Sequence, residues 1–335
     1  MLKIGIVGAT GYTGLELLRY LVDHPHFEVA FVSSRQFLGS SVSEVFPHLS
    51  EAYRSLVFEN FDPDKLPQLD AWFLALPHGQ THCFLPKLLA TGAKIVDLSA
   101  DFRLASSQVY ANYYGHHHQS PSLLEEAVYG IPEFYRSTIQ KTSLCANPGC
   151  YPTATLLGLK PLMDKGWCLS TPIIDAKSGI SGAGRSPKQS LLFCETSGDL
   201  SAYGTQGHRH LPEIEQILGV PVVFSPHLVP MKRGMLASIY VKIPSDVSLE
   251  DVYDLYDTCY NNECFVTLSK EDPHVKYVAC TNHCRLTLRQ VKDHLVIFSV
   301  IDNLGKGASG QAVQNMNVMF GMSDHAGLGH VPIWM

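Results

Sequence analysis

Cys150 stands in the run Ala146-Asn147-Pro148-Gly149-Cys150-Tyr151-Pro152-Thr153. Gly and Pro on both sides predict a turn open to solvent. Pro152 is tolerated in a first helical turn, so the cysteine falls near a helix N-terminus. There the dipole and the free N–H groups lower a thiol pKa. A thiolate so placed can attack a carbonyl or an acyl phosphate. The same N–H groups, with the Asn147 side chain, could hold the developing oxyanion. The other eight cysteines read as packing residues.

A cysteine nucleophile wants a base. Gly207-His208-Arg209-His210-Leu211-Pro212-Glu213-Ile214 offers two imidazoles, a guanidinium and a carboxylate just before a helix. An imidazole can take the thiol proton and later return a proton to the substrate oxygen. His208 is assigned as acid/base, with His210 and Glu213 placed at the substrate. Sequence alone does not order the two histidines.

Lys177 to Arg185 is a loop of small residues after a strand, with hydroxyls, free N–H groups and two cations. That chemistry suits a phosphate or carboxylate. Ser178 and Gly179 are assigned to substrate, Ser181 and Gly182 to cofactor. Arg103, in Asp101-Phe102-Arg103, could clamp a substrate carboxylate or equally pair with Asp101 or Glu133. His116-His117-His118 lacks the spacing of a metal site, and so do Cys280, His283 and Cys284. No metal is expected.

Gly8-Ala9-Thr10-Gly11-Tyr12-Thr13-Gly14 lies between a strand at 3–7 and a helix at 15–22. Glycine is needed where the backbone takes positive φ or must approach a pyrophosphate closely. The helix N-terminus then offers N–H groups to the phosphates. The spacing departs from the commonest dinucleotide fingerprint, but the position at the first strand–helix turn points to that ligand. After the second strand, 27–33, an NAD enzyme would carry an acid for the ribose 2′-OH. Ser33-Ser34-Arg35 stands there instead, two hydroxyls and a guanidinium that suit a 2′-phosphate, so NADP(H) is the expected cofactor. Leu76 and Pro77 close another strand, where such sheets bind their ligands.

The elements that must position these groups follow from periodicity. Strands at 71–76 and 94–98, with a helix at 84–90 between them, continue the alternation and predict a Rossmann-type parallel sheet. After Cys150 come a helix at 154–163 and strand-rich runs at 172–176, 220–224, 235–243 and 294–301. These predict an α+β domain with a mixed, largely antiparallel sheet. The division is 1–149 for the dinucleotide-binding domain, completed by a C-terminal helix 307–335, and 150–306 for the catalytic and dimerisation domain. The length, 335 residues, suits two domains of roughly 150 each. A net charge of −6 with scattered Lys and Arg excludes a nucleic-acid surface of the usual basic kind. No apolar run reaches 18 residues and the N-terminus reads as a strand, so neither a membrane span nor a signal peptide is expected. Nine unspaced cysteines fit a reducing cytoplasm.

Taken in order, GATGYTG at 8–14, ALPHG at 75–79, DLSADFR at 97–103, NPGCYPT at 147–153, KSGISGAGR at 177–185, GHRHLPEI at 207–214 and NLGKGASGQAVQN at 303–315 cover the chain. In this the chain resembles the semialdehyde dehydrogenase superfamily and, within it, the N-acetyl-gamma-glutamyl-phosphate reductase family. The resemblance implies NADPH-dependent reduction of N-acetyl-L-glutamyl 5-phosphate to the 5-semialdehyde with release of phosphate, the third step of arginine biosynthesis. It implies that Cys150 displaces phosphate to give a thioester, that hydride then gives a thiohemiacetal, and that Asn303 to Ala308 lies against the nicotinamide. It also implies subunits associated through the second domain, as a homodimer or homotetramer. The triple histidine departs from the family, which often keeps one. Alternatives are an aspartate-semialdehyde dehydrogenase, a lysine-pathway reductase of a carrier-linked aminoadipyl phosphate, and, from another class, a non-catalytic NADP-sensing regulator. An intact Cys150 and His208 argue against the last.

Overall fold

The structure is a computed structural model that describes residues 1–333. The chain divides into two compact units, Met1–Pro148 with Ala308–Gly329, and Gly149–Gly307 with the described tail from 330.

The first unit is built on seven strands: β1 Leu2–Val7, β2 Phe27–Ser33, β3 Phe58–Glu59, β4 Ala71–Leu74, β5 Lys94–Asp97, β6 Val128–Tyr129 and β7 Leu144–Ala146. Their order is β3-β2-β1-β4-β5-β7-β6, and every pairing is parallel. All four residues of β4 are buried, as a strand covered on both faces requires. Gly5 has a packing reason: a Cβ there would lie 2.4 Å from the Trp72 ring opposite it. The strand order reverses at β1, so the crevice beyond its C-terminal end is the place where such sheets take ligands.

The helix Gly310–Met319 belongs to this unit, and all ten of its residues are buried. Several of its side-chain amides donate to backbone carbonyls. Gln311 and Asn315 both donate to the Gly130 carbonyl, at 3.0 and 2.8 Å, and Asn317 donates to Ala326 O. The expected helix 307–335 is therefore too long. Gly321 takes φ +67°, and the Gly321 and Met322 N–H groups bond back to Val318 O and Asn317 O. That double bond-back ends a helix. Residues 320–333 are turns and irregular chain, and 334–335 lie outside the described residues.

The second unit holds β8 Ile173–Gly179, β9 Ser201–Ala202, β10 Val223–Val229, β11 Met235–Lys242, β12 Val266–Leu268, β13 Cys284–Val291 and β14 His294–Ile301. Their order is β12-β13-β14-β11-β8-β10-β9. β8 runs parallel to β10 and β12 to β13, and the other pairings are antiparallel. The expected fold class is borne out in both units.

The helix Cys150–Lys165 packs on β11 and β14. Gly158 permits that approach, because a Cβ there would meet Ile239 at 2.9 Å. Pro161 lies inside this helix and brings no N–H for the Leu157 carbonyl. The Tyr260 hydroxyl donates to Leu157 O instead, at 2.6 Å, and Tyr256 OH donates to Gly158 O. Tyr260→Phe should thus leave a buried carbonyl unmet and cost about 1–3 kcal/mol. In a Pro161→Ala background residue 161 regains its N–H, and the same change should cost less. Urea unfolding of the four proteins measures the coupling; equal costs in both backgrounds would refute this account.

Candidate active site

The dinucleotide cradle lies in the first unit. Gly8 has φ +84°, and a Cβ on it would stand 2.5 Å from Ala75 O. A Cβ on Gly14 would be 2.5 Å from Ala9 Cα and from Gly8 O. These two glycines are compelled by the turn and by the closeness of the helix Tyr12–Leu21 to it. Gly11 differs, since nothing comes nearer to its would-be Cβ than Gly8 O at 3.7 Å. It is the N-cap, and no side chain caps the first turn above it. Those N–H groups are available to an anion, so the residues present fit a dinucleotide pyrophosphate. Tyr12 and Thr13 open the helix.

Ser33 and Ser34 do other work than expected. Ser33 Oγ accepts Gly8 N–H at 3.1 Å, and Ser34 Oγ meets Thr10 Oγ1 at 3.0 Å and accepts Phe37 N–H. Both hydroxyls tie the glycine turn to the end of β2. Only Arg35 of the three is exposed. Leu76 borders Gly8, with its Cδ2 3.2 Å from the would-be Cβ, and Pro77 is exposed.

Arg103 also differs from expectation. Its Nε donates to Asn147 O at 2.7 Å and its Nη2 to Leu98 O at 2.8 Å, so it braces two backbone carbonyls. The Asn147 amide, expected at an oxyanion, donates to Ala308 O and accepts from Asn315. Asp101 is fully buried and accepts from Gly79 N, Thr81 N, Thr81 Oγ1 and Tyr110 OH. Burial, and next the facing Asp101, push the Asp97 carboxyl up to about 7. The histidine run is split: His116 faces Tyr110 OH and Tyr114 O, His118 faces Asp101 O, and His117 is exposed. Among the described residues no group of His, Cys, Asp or Glu is disposed to hold a metal ion.

The cysteine centre lies in the second unit. Cys150 is the first residue of its helix and Gly149 is the N-cap. Glu213 is 1% exposed, and its Oε1 accepts Gly149 N–H at 2.9 Å, so this carboxylate anchors the helix start. The His210 ring lies against Gly149, where a Cβ would come within 2.4 Å of Nε2. His208 is placed differently. Its Nδ1 accepts His210 N–H at 3.1 Å, and Tyr151, Tyr203 and Phe224 pack edge-on around its ring. Burial, and then Arg209, hold its pKa down at about 4. The imidazole packed against Gly149, the residue preceding Cys150, is that of His210.

Ser178 is buried with its hydroxyl on Gly179 O, and Gly179 packs on Arg233 and Met231 backbone. The Asn303 amide bridges Gly234 N and Ser181 Oγ, at 2.6 and 2.9 Å. Both of its ends are used within the protein. Gly182 is exposed. Sequence reasoning gave no role to Tyr151, Tyr203, Arg233 and Asp302, and placed Gly307 only within the stretch expected at the nicotinamide. Tyr203 OH donates to Tyr151 OH at 3.1 Å. Gly307 abuts the nucleophile, its would-be Cβ 2.8 Å from Cys150 Cβ. No local pattern marks these residues, because their partners are distant in sequence.

Residues 3–142 match the semialdehyde dehydrogenase NAD binding domain, and residues 150–303 match the semialdehyde dehydrogenase dimerisation domain. Proteins named N-acetyl-gamma-glutamyl-phosphate reductase match along nearly their whole length. One from Azotobacter vinelandii is 47% identical over 99% of each chain, and one from Halorhodospira halophila 48% over 98% of each. The chain belongs to the N-acetyl-gamma-glutamyl-phosphate reductase family of semialdehyde dehydrogenases. It is an oxidoreductase with a nicotinamide-cofactor domain. Solved structures share the fold at low identity. Aspartate semialdehyde dehydrogenase II from Vibrio cholerae, complexed with ASA, has a TM-score of 0.71 at 16% identity, covering 96% of this chain and 98% of that one. The enzyme from Candida albicans with NADP has a TM-score of 0.69 at 14% identity, covering 96% and 99%. Among the described residues no helix is long and apolar enough to cross a membrane.

His208 has a folded pKa below its ordinary 6.5. As pH falls, the unfolded chain therefore binds this proton first. The stability is fully present above about pH 6.5 and is lost as pH falls through about 4. His208→Gln should flatten that decline by up to one proton per chain, about 1.4 kcal/mol per pH unit. Parallel unfolding curves for wild type and variant across this range would count against a buried neutral imidazole here.

Proposed function

We propose that this protein reduces N-acetyl-L-glutamyl 5-phosphate to N-acetyl-L-glutamate 5-semialdehyde, with NADPH as donor and phosphate released. The observation that carries the reading is a cysteine at the start of a buried helix with an imidazole on its N-cap, in a chain 45–48% identical to reductases of that name. His210 takes the Cys150 thiol proton, and the thiolate attacks the acyl carbon. The C–O bond to phosphate breaks as the C–S bond forms, leaving a thioester on Cys150. The N–H groups of the helix start support the oxyanion. A nicotinamide cofactor, when bound, would supply the hydride that reduces the thioester carbon. Expulsion of the Cys150 thiolate then frees the aldehyde, and His210 handles the proton at the substrate oxygen. His208 holds His210 through its backbone N–H and does not itself transfer a proton.

The phosphates would sit on Gly8, Thr10, Gly11, Tyr12, Thr13 and Gly14. Arg35 would bind the 2′-phosphate, since the adjacent hydroxyls are already engaged. NADP preference is read from that exposed guanidinium and from the absence of an acid at 33–35. Pairing of subunits through residues 150–303, as a homodimer or a higher assembly, is proposed from the dimerisation-domain match. A cytoplasmic setting is proposed from the chemistry of a free thiol nucleophile.

The test is reduction of NADP by purified protein with N-acetylglutamate semialdehyde and phosphate, run beside aspartate semialdehyde. Faster turnover of the aspartate compound, or turnover by Cys150→Ser above about a tenth of wild type, would sink the reading.

Arg35→Asp should weaken NADP by about 10–150-fold and shift preference toward NAD, as loss of one charge-assisted bond predicts. Isothermal titration with both cofactors checks it; an unmoved Kd ratio would exclude Arg35.

His210→Asn should lower kcat by roughly 10²–10⁴-fold with a much smaller change in KM. His208→Asn should cost less, because the ring only supports its neighbour. If His208→Asn proves the crippling change, the two roles are exchanged.

A further inference from the structure

Asp302 is fully buried and gathers donors from three separate segments. Arg233 meets it with two bonds, Nε to Oδ2 at 2.7 Å and Nη2 to Oδ1 at 2.9 Å. The Cys280 N–H reaches Oδ2 at 2.5 Å, from a residue held at φ +64°. Leu304 N and Gly305 N reach Oδ1 at 2.8 and 3.0 Å. The main-chain oxygen of Asp302 accepts Gly307 N–H at 2.9 Å. Side chain and backbone of this one residue therefore shape the wide π-helical turn Gly305–Ser309 from its first residues. Gly307, inside that turn, is the residue whose would-be Cβ comes 2.8 Å from Cys150 Cβ.

We propose that Asp302, clamped by Arg233, is a positioning residue for the nucleophile: it fixes the turn whose Gly307 presses on Cys150 Cβ and holds the thiol in its attacking rotamer. The proposal rests on Cys150 being the nucleophile. The physical link is short. A carboxylate with five donors cannot shift without breaking several charge-assisted bonds at once. The turn it holds leaves no room for a methyl group between Gly307 and Cys150 Cβ, which narrows the side-chain torsion of the cysteine. A misplacement of about 1 Å at a reacting atom can cost about 10²-fold in rate. In this proposal Arg233 and Asp302 act on the thiol through this turn, so neither is called catalytic.

Asn in place of Asp302 keeps the size but presents N–H groups to Arg233 and to Cys280 N–H. The turn should then relax while the helix Cys150–Lys165 keeps its own anchor at Glu213. The experiment follows Asp302→Asn and the charge-neutral double variant Asp302→Asn/Arg233→Met, which guards against failure of the single variant to fold. Three quantities are read: kcat and KM, Tm, and the pH profile of Cys150 alkylation by iodoacetamide, measured on the Cys150 peptide by mass spectrometry. Expected are a kcat about 10–100-fold lower with KM within a few-fold, and an alkylation midpoint moved upward as the thiolate leaves the helix N–H groups. The double variant should recover Tm but not kcat or the midpoint. A purely structural role predicts lowered Tm with kcat and midpoint of the folded fraction unchanged, and that result overturns the proposal. If Cys150→Ser is inactive while the Asp302 variants keep wild-type kcat, the positioning role alone fails. If Cys150→Ser turns over normally, the nucleophile reading fails first.

Discussion

The bond from Gly149 N–H to the Glu213 carboxylate decides where the helix Cys150–Lys165 begins. A helix N-terminus has donors with no partner inside the helix, and a buried one must find acceptors elsewhere. Here the acceptor comes from the helix Leu211–Leu218, whose preceding turn carries both histidines. Anchoring the helix start and delivering an imidazole to Gly149 are thus one structural act. The carboxylate sits three residues after His210, close enough that the bond also fixes the ring's approach. Remove that contact and the first turn, the nucleophile and the base lose their common reference.

The parallel sheet and the mixed sheet were legible because their strands are long apolar or alternating runs, as in Phe27–Ser33 and His294–Ile301. The cofactor turn was legible too, because its glycines answer local backbone needs: Gly8 for its φ and Gly14 for helix contact. What local pattern does not carry is the use to which a polar group is put. Ser33, Ser34, Arg103, Asn147 and Asn303 have the right chemistry for ligands, yet the fold spends their donors and acceptors on backbone and neighbouring side chains. Apart from the local bonds of Arg103 to Leu98 and of Phe37 to Ser34, those contacts span from 24 to 168 residues, and no short window contains both partners.

The order of His208 and His210 shows the same limit at closer range. Two residues apart, they have the same side chain and share Arg209 as a neighbour. Their difference arises only when the strand Val223–Val229 and Tyr203 enclose one ring and Gly149 receives the other. The strands at 128–129, 144–146 and 284–291 were missed for simpler reasons. The first two are too short to show a period, whereas the third carries a period-two alternation of Leu with Arg and Thr that the sequence reading passed over.

The helix Gly310–Met319 is the last secondary element among the described residues, yet its partners Gly130 and Asn147 are made early. During synthesis the first 148 residues emerge with the face that this helix will cover still bare. Residues 149–307, the body of the second unit, must be translated before the covering segment leaves the ribosome. Domains that fold as they emerge do so from the N-terminal side. In this protein the N-terminal unit is the one that must wait, and the inserted unit can close first.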